Sequence, residues 1–237
     1  MTVPFHTSHA VPVDGGTLHV ARGGPAPADS AAVVLAAHGI TASHHAWRAP
    51  ARNLLAGAGV CVLAPDLRGR GQSAQLQPPA NLGQHVTDLV AILDHLGVER
   101  AVLAGHSMGA YVVARTAAEH PERATGVVLV DGGTPTHPRP DIASEETLAK
   151  LLGPALQRLS MTFDSPEHYV EFWRQHPAYG ASWSEDIEAY VRAAQPDAAV
   201  ELVEDVNHYT ILMGAGAPRV AEAIRRVLGA PAAAVPG

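Results

Sequence analysis

Gly105-His106-Ser107-Met108-Gly109 is the stretch of this 237-residue chain best suited to covalent chemistry. A serine hydroxyl is a weak nucleophile until the fold exposes it and a base takes its proton. The apolar run Ala101-Val102-Leu103-Ala104 precedes Ser107, and the helix-forming stretch from Ala110 to Glu119 follows it. A sharp strand-to-helix turn there projects the serine away from the chain. Glycines on both sides let strand and helix approach without a Cβ clash.

Three other segments carry polar or glycine-rich signals after apolar runs. They are His38-Gly39-Ile40, the loop Asp66-Leu67-Arg68-Gly69-Arg70-Gly71-Gln72-Ser73, and the late Asn207-His208-Tyr209. A glycine turn at 38–40 can leave backbone N–H groups free for a ligand. Asp66 and Arg68 read as scaffold residues that tie loops together by ion pair and hydrogen bond, and His38 and His106 read as structural. Fourteen histidines raise the question of a metal. His44 and His45 are adjacent and on a helix point different ways, and no H-E-x-x-H or C-x-x-C pair exists. The expectation is no metal and no cofactor, since a P-loop and a dinucleotide fingerprint are absent too.

Bulk properties narrow the classes further. A hydrophobic content of 47% supports one sizeable core, and a net charge of −7 argues against nucleic acid or an anionic membrane as partner. A small-molecule substrate is expected, with the oligomeric state open. The lone Cys61, inside Val60-Cys61-Val62-Leu63-Ala64, reads as a small core residue. Neither a signal peptide nor an apolar run long enough to span a membrane is recognisable, so a cytoplasmic location is expected.

The elements that must position these residues alternate. A hairpin is predicted from His6 to Val13 and Thr17 to Ala21 around Asp14-Gly15-Gly16. Strands are then predicted at 32–37, 60–64, 101–105 and 126–130, and helices at 44–56, 81–96 and 108–120. That alternation predicts an α/β fold, a mostly parallel sheet with helices on both faces. Residues 135–197 read as a helical lid on a single domain spanning 1–237, with helices near 144–159, 166–176 and 184–194. A last strand at 199–203 and a closing helix at 217–228 complete the pattern. Apolar and aromatic lid residues, among them Tyr169, Phe172, Trp173 and Tyr179, either line a pocket or pack the lid down.

Taken together, H-G-I at 38–40, P-D-L-R-G-R-G-Q-S at 65–73, G-H-S-M-G at 105–109 and N-H-Y at 207–209 resemble the α/β-hydrolase superfamily. The similarity is greatest to its serine esterases, lactonases and cofactor-free haloperoxidase-like enzymes. The resemblance implies that Ser107 is the nucleophile and His208 the general base. It implies an oxyanion hole made by the backbone N–H groups of Ile40 and Met108. The usual strand carrying the triad acid is not recognisable between Thr134 and Asp197, which suggests a shortened member. Asp131, after the 126–130 strand, is then the leading acid, with no functional acid, or Asp197 or Asp205, as the alternatives, and Glu201 and Glu204 read as solvent-facing. The implied activity is ester hydrolysis through an acyl-enzyme. C–C bond, lactone or amide cleavage and a non-catalytic binding role stay open.

Overall fold

The structure is a computed structural model that describes residues 4–57, 59–79, 81–133, 165–177 and 179–193, with four helical positions between 221 and 228. The six described strands are β1 (Thr7–Val13), β2 (Gly16–Gly23), β3 (Ala32–Ala37), β4 (Val60–Pro65), β5 (Ala101–His106) and β6 (Ala124–Val130). They form one sheet in the order β1-β2-β4-β3-β5-β6. The N-terminal hairpin pairs antiparallel with itself and with β4, whereas β4, β3, β5 and β6 run parallel. This is the mostly parallel α/β sheet that the alternation of elements predicts.

β2, β4, β5 and β6 run one or two residues beyond a predicted end because partners continue the ladder, whereas β3 matches its prediction and β1 starts one residue later. β2 reaches Gly23, which pairs with Val62, and β6 begins at Ala124 opposite Ala101. Successive side chains of a strand face opposite sides, and both sides are apolar here. Val34, Ala36, Val62 and Ala64 pack on one face against α1 (Arg48–Leu55). Val33, Leu35, Cys61 and Leu63 pack on the other against α2 (Leu82–His95) and α3 (Met108–Glu119). Cys61 is fully buried, as its apolar neighbours predict.

The predicted helix at 44–56 is broken in two. His44–Trp47 form a 3-10 turn, and α1 starts only at Arg48. A helix running from His44 would need the N–H of residue 50 for the carbonyl of Ala46, and Pro50 has none. Starting at Arg48 places the proline in the first turn, where its missing donor costs nothing. Asn81 caps α2 by accepting from the Gly83 N–H at 2.8 Å.

Two helices of the 135–197 region are described, α4 (Pro166–Gln175) and α5 (Glu185–Ala193), close to their predicted ranges. Tyr169, Trp173 and Tyr179 are buried in the same cluster as Trp47 and Leu54, so this region packs against the α1 side of the sheet. Asp186 of α5 receives both ends of the Arg52 guanidinium at 2.6 and 2.7 Å and Arg48 Nε at 3.4 Å, a clamp between α5 and α1. The predicted lid helix at 144–159 and the strand at 199–203 lie outside the described residues. Of the closing helix, Ala221, Ile224, Arg225 and Leu228 are helical, and Ala221 and Ile224 are buried. No helix among the described residues is long and apolar enough to cross a membrane.

Candidate active site

Ser107 follows β5 and precedes α3 with φ 53° and ψ −121°. A non-glycine residue with that backbone stores roughly 1–3 kcal/mol of strain, so its surroundings must impose it. They are close on every side. The Ser107 N–H donates to the Val130 carbonyl at 3.0 Å, and the Ser107 carbonyl accepts from Ala110 N–H at 3.0 Å. A Cβ at Gly105 would lie 2.3 Å from the Gly109 carbonyl oxygen, and one at Gly109 would lie 2.3 Å from the Ala37 carbonyl oxygen. A Cβ at Gly132 would lie 2.6 Å from the Ser107 carbonyl oxygen. Strand, helix and both neighbouring strands therefore meet on backbone, and the serine is the residue forced outward.

The turn after β3 runs alongside the serine. A Cβ at Gly39 would lie 3.2 Å from Ser107 Cβ and 3.6 Å from Oγ, so only glycine leaves the hydroxyl's flank open. Gly39 carbonyl accepts from Ala42 N–H at 3.1 Å, closing the turn, and Ile40 stands 53% exposed at its tip. His38 holds this turn from below. Its Nδ1 donates to the Gly39 carbonyl at 2.7 Å, and its Nε2 accepts from Leu67 N–H at 2.9 Å. Accepting that N–H requires the neutral Nδ1–H tautomer. Complete burial favours the same state and lowers the imidazole pKa to about 4, although Asp66 pulls the other way. The structural reading of His38 is thus correct.

Met108 opens α3, so its N–H has no carbonyl one turn earlier to bond within the helix. It follows Ser107 directly in the chain. Asp131 follows β6 directly, one residue past the carbonyl that holds the Ser107 N–H, and takes φ 47°. The structure therefore brings Ser107, Met108, the Gly39–Ile40 turn and Asp131 to one edge of the sheet. His208 lies outside the described residues, as do Asp197, Asp205, Glu201 and Glu204.

The 66–73 loop supports that edge. Arg68 forms a two-pronged pair with Asp88 of α2, Nε to Oδ2 at 2.9 Å and NH2 to Oδ1 at 2.7 Å, and a third bond to the Asp14 carbonyl at 2.8 Å. Asp66 accepts from the main-chain N–H groups of His44 and Gln72 at 2.7 and 2.9 Å. Burial works against the Asp66 charge, yet the imidazoles of His19 and His44 outweigh it and hold the carboxyl well below the usual range. The tying role read for Asp66 and Arg68 is what the structure has, with separate partners for each. The sequence reading does not anticipate two further residues. Arg70 Nε donates to the Ile40 carbonyl, and Tyr190 of α5 donates to the Thr41 carbonyl at 3.4 Å. A charged residue between two glycines hints at Arg70, whereas no local signal marks Tyr190.

Comparison with known proteins agrees with this arrangement. A family model described as alpha/beta hydrolase fold matches residues 32–165, more than half of the chain. Epoxide hydrolase A of Mycobacterium tuberculosis is 35% identical over 151 residues, covering 62% of this chain and 44% of that protein. Lipase LipV of the same organism is 36% identical over 114 residues, covering 48% of this chain and 41% of the lipase. The chain thus spans less than half the length of these curated relatives. A solved structure of a hypothetical protein from Pseudomonas aeruginosa PAO1 superposes with TM-score 0.61 at 20% identity, covering 93% of this chain and 96% of that one, which is a likeness of fold. A strained serine between backbone-packed glycines on a parallel sheet, matched by that family model over most of the sheet, places this chain in the α/β-hydrolase fold family.

Proposed function

We propose that this protein is a serine hydrolase that cleaves carboxylic esters of small or medium hydrophobic substrates through an acyl-enzyme. Ser107 attacks the carbonyl carbon, and His208 accepts its proton and then returns it to the leaving alcohol. The N–H groups of Ile40 and Met108 stabilise the oxyanion, and Asp131 orients the imidazole. Water then attacks the acyl ester, with His208 as base, and regenerates the serine. Only side chains, main chain and water take part. In this reading residues 1–237 make one domain, with a lid over 135–197.

The observation that carries the proposal is the forced backbone of Ser107 with Gly39 vacant beside its hydroxyl. The relatives' names span epoxide hydrolases, a lipase and a carbamate hydrolase. The side chain at 107 chooses among these chemistries. A serine oxygen opening an epoxide would form an ether, which water does not cleave under mild conditions. A serine acylated by an ester or carbamate carries a carbonyl that water can attack. Residue 107 therefore favours acyl transfer over epoxide opening.

The test uses a fluorophosphonate probe and short-chain p-nitrophenyl esters with wild-type and Ser107→Ala protein. Labelling and turnover are both expected, and both vanish in the variant. Turnover that survives in Ser107→Ala overturns the proposal. Asp131→Asn is expected to lower kcat by up to about 10⁴-fold with the fold intact, because the imidazole loses its fixed tautomer. Near-normal turnover in that variant moves the acid elsewhere.

A further inference from the structure

Three donors far apart in sequence converge beside β4. His19 is on β2, His44 opens the turn after β3, and Asp66 follows β4, which lies between β2 and β3 in the sheet. His44 Nδ1 is 3.0 Å from each carboxylate oxygen of Asp66, and His19 Nδ1 is 3.2 Å from Oδ2. The three side chains are 7%, 0% and 15% exposed for His44, Asp66 and His19 respectively. His19 Nδ1 is sealed from solvent and faces Asp66 Oδ2. Three nitrogen and oxygen donors that converge from separate elements, two of them on buried residues, form a set that a divalent cation can bridge.

The carboxylate is also held in advance. The main-chain N–H groups of His44 and Gln72 occupy one lone pair on each oxygen, leaving the others toward the imidazoles. Such outer hydrogen bonds are what fix a metal-binding carboxylate. Ligands about 2.0–2.1 Å from a tetrahedral zinc ion lie about 3.3 Å from one another. The two nitrogen–oxygen separations of 3.0 and 3.2 Å are close to that edge, and all three donor atoms fall within 4.8 Å of one another. His44 and His45, expected to point apart, instead have ring centroids 4.0 Å apart, so a third imidazole flanks the cluster.

We infer that His19 Nδ1, His44 Nδ1 and Asp66 form a binding site for a divalent cation of the zinc class, with water at the fourth position. With two neutral imidazoles and one carboxylate the loaded site has a net charge of +1, which ionisation of the bound water to hydroxide would cancel. The absence of a metal motif from the sequence follows from the donors' origin on three separate elements. The ion would join the N-terminal hairpin to the loop whose Leu67 N–H positions His38, and so it would act as a staple outside the catalytic chemistry.

The experiment uses full-length, tag-free protein stripped with chelator and then titrated with Zn²⁺ and, separately, Co²⁺. One equivalent is expected to bind, with the visible d–d absorption of tetrahedral Co²⁺ and no thiolate charge-transfer band, since Cys61 is buried. A hundredfold excess over Kd should raise Tm by about 5–10 °C. His19→Phe and His44→Phe should each weaken binding by at least about 100-fold. A Co²⁺ spectrum that is octahedral, a Tm that Zn²⁺ does not move, or binding unchanged in both variants overturns the assignment. The last result would mean surface histidines hold the ion. Ester turnover is a separate readout, so this site and the serine mechanism stand or fall independently.

Discussion

Replacing Asp88 by alanine isolates what holds the 66–73 loop in place. The Arg68 and Asp88 side chains are 6% and 2% exposed, and two of the three hydrogen bonds of the guanidinium go to this carboxylate. Asp88→Ala leaves a buried guanidinium with the Asp14 carbonyl alone. Breaking a buried pair in this way costs about 3–5 kcal/mol, because the remaining charge has lost its counter-ion. That is a large fraction of the roughly 5–15 kcal/mol that holds a domain folded. Urea unfolding followed by circular dichroism should show the midpoint falling by more than about 1 M, taking a slope near 3 kcal/mol/M. The compensated variant Arg68→Met with Asp88→Leu should recover most of that loss, since an apolar pair avoids desolvating either charge. A single variant within about 1 kcal/mol of wild type would refute the reasoning, because no buried charge would then have been stranded. So would a double variant no more stable than the single one.

Other outcomes follow from the same geometry. Gly109→Ala drives a methyl group to 2.3 Å from the Ala37 carbonyl; it should lose about 1–3 kcal/mol of stability by thermal melting and lower kcat with it. His38 is held neutral with its pKa at about 4, against 6.5 unfolded, so its contribution is full above pH 6.5 and is lost as pH falls toward 4. Between pH 7 and 4.5 that removes about 2 kcal/mol, and a His38→Gln variant should show a correspondingly shallower acid slope in urea melts. Burial pushes the Cys61 thiol up to about 11; native protein should therefore not react with a disulfide reagent at pH 8, and it should release one equivalent of thiol on unfolding.

The parts of this molecule that were legible in the sequence are those fixed by local pattern. The hairpin, the alternating strands and the serine between glycines each carry their signal within a dozen residues, and β1 to β6 lie where that pattern puts them. The break at Trp47–Arg48 departs from the single helix predicted over 44–56, and the missing N–H of Pro50 accounts for it. Contacts between distant segments were not legible at all. Nothing near Tyr190 indicates that it meets Thr41, and nothing near His19 indicates that it meets Asp66. Such meetings depend on strand order, and the β2-β4-β3 adjacency emerges only when the whole sheet assembles. The general-base role of His208 could be read only through resemblance, and the residue lies outside the described residues.

The backbone at 107 is held by the Val130 carbonyl and by glycines at 105, 109 and 132, and none of these contacts touches its side chain. Conformation and reactivity are thereby assigned to different atoms. A carboxylate or a thiol substituted for the hydroxyl would inherit the same outward pose without asking the scaffold to change. Changing that one side chain therefore alters what the position can attack without altering the turn that presents it.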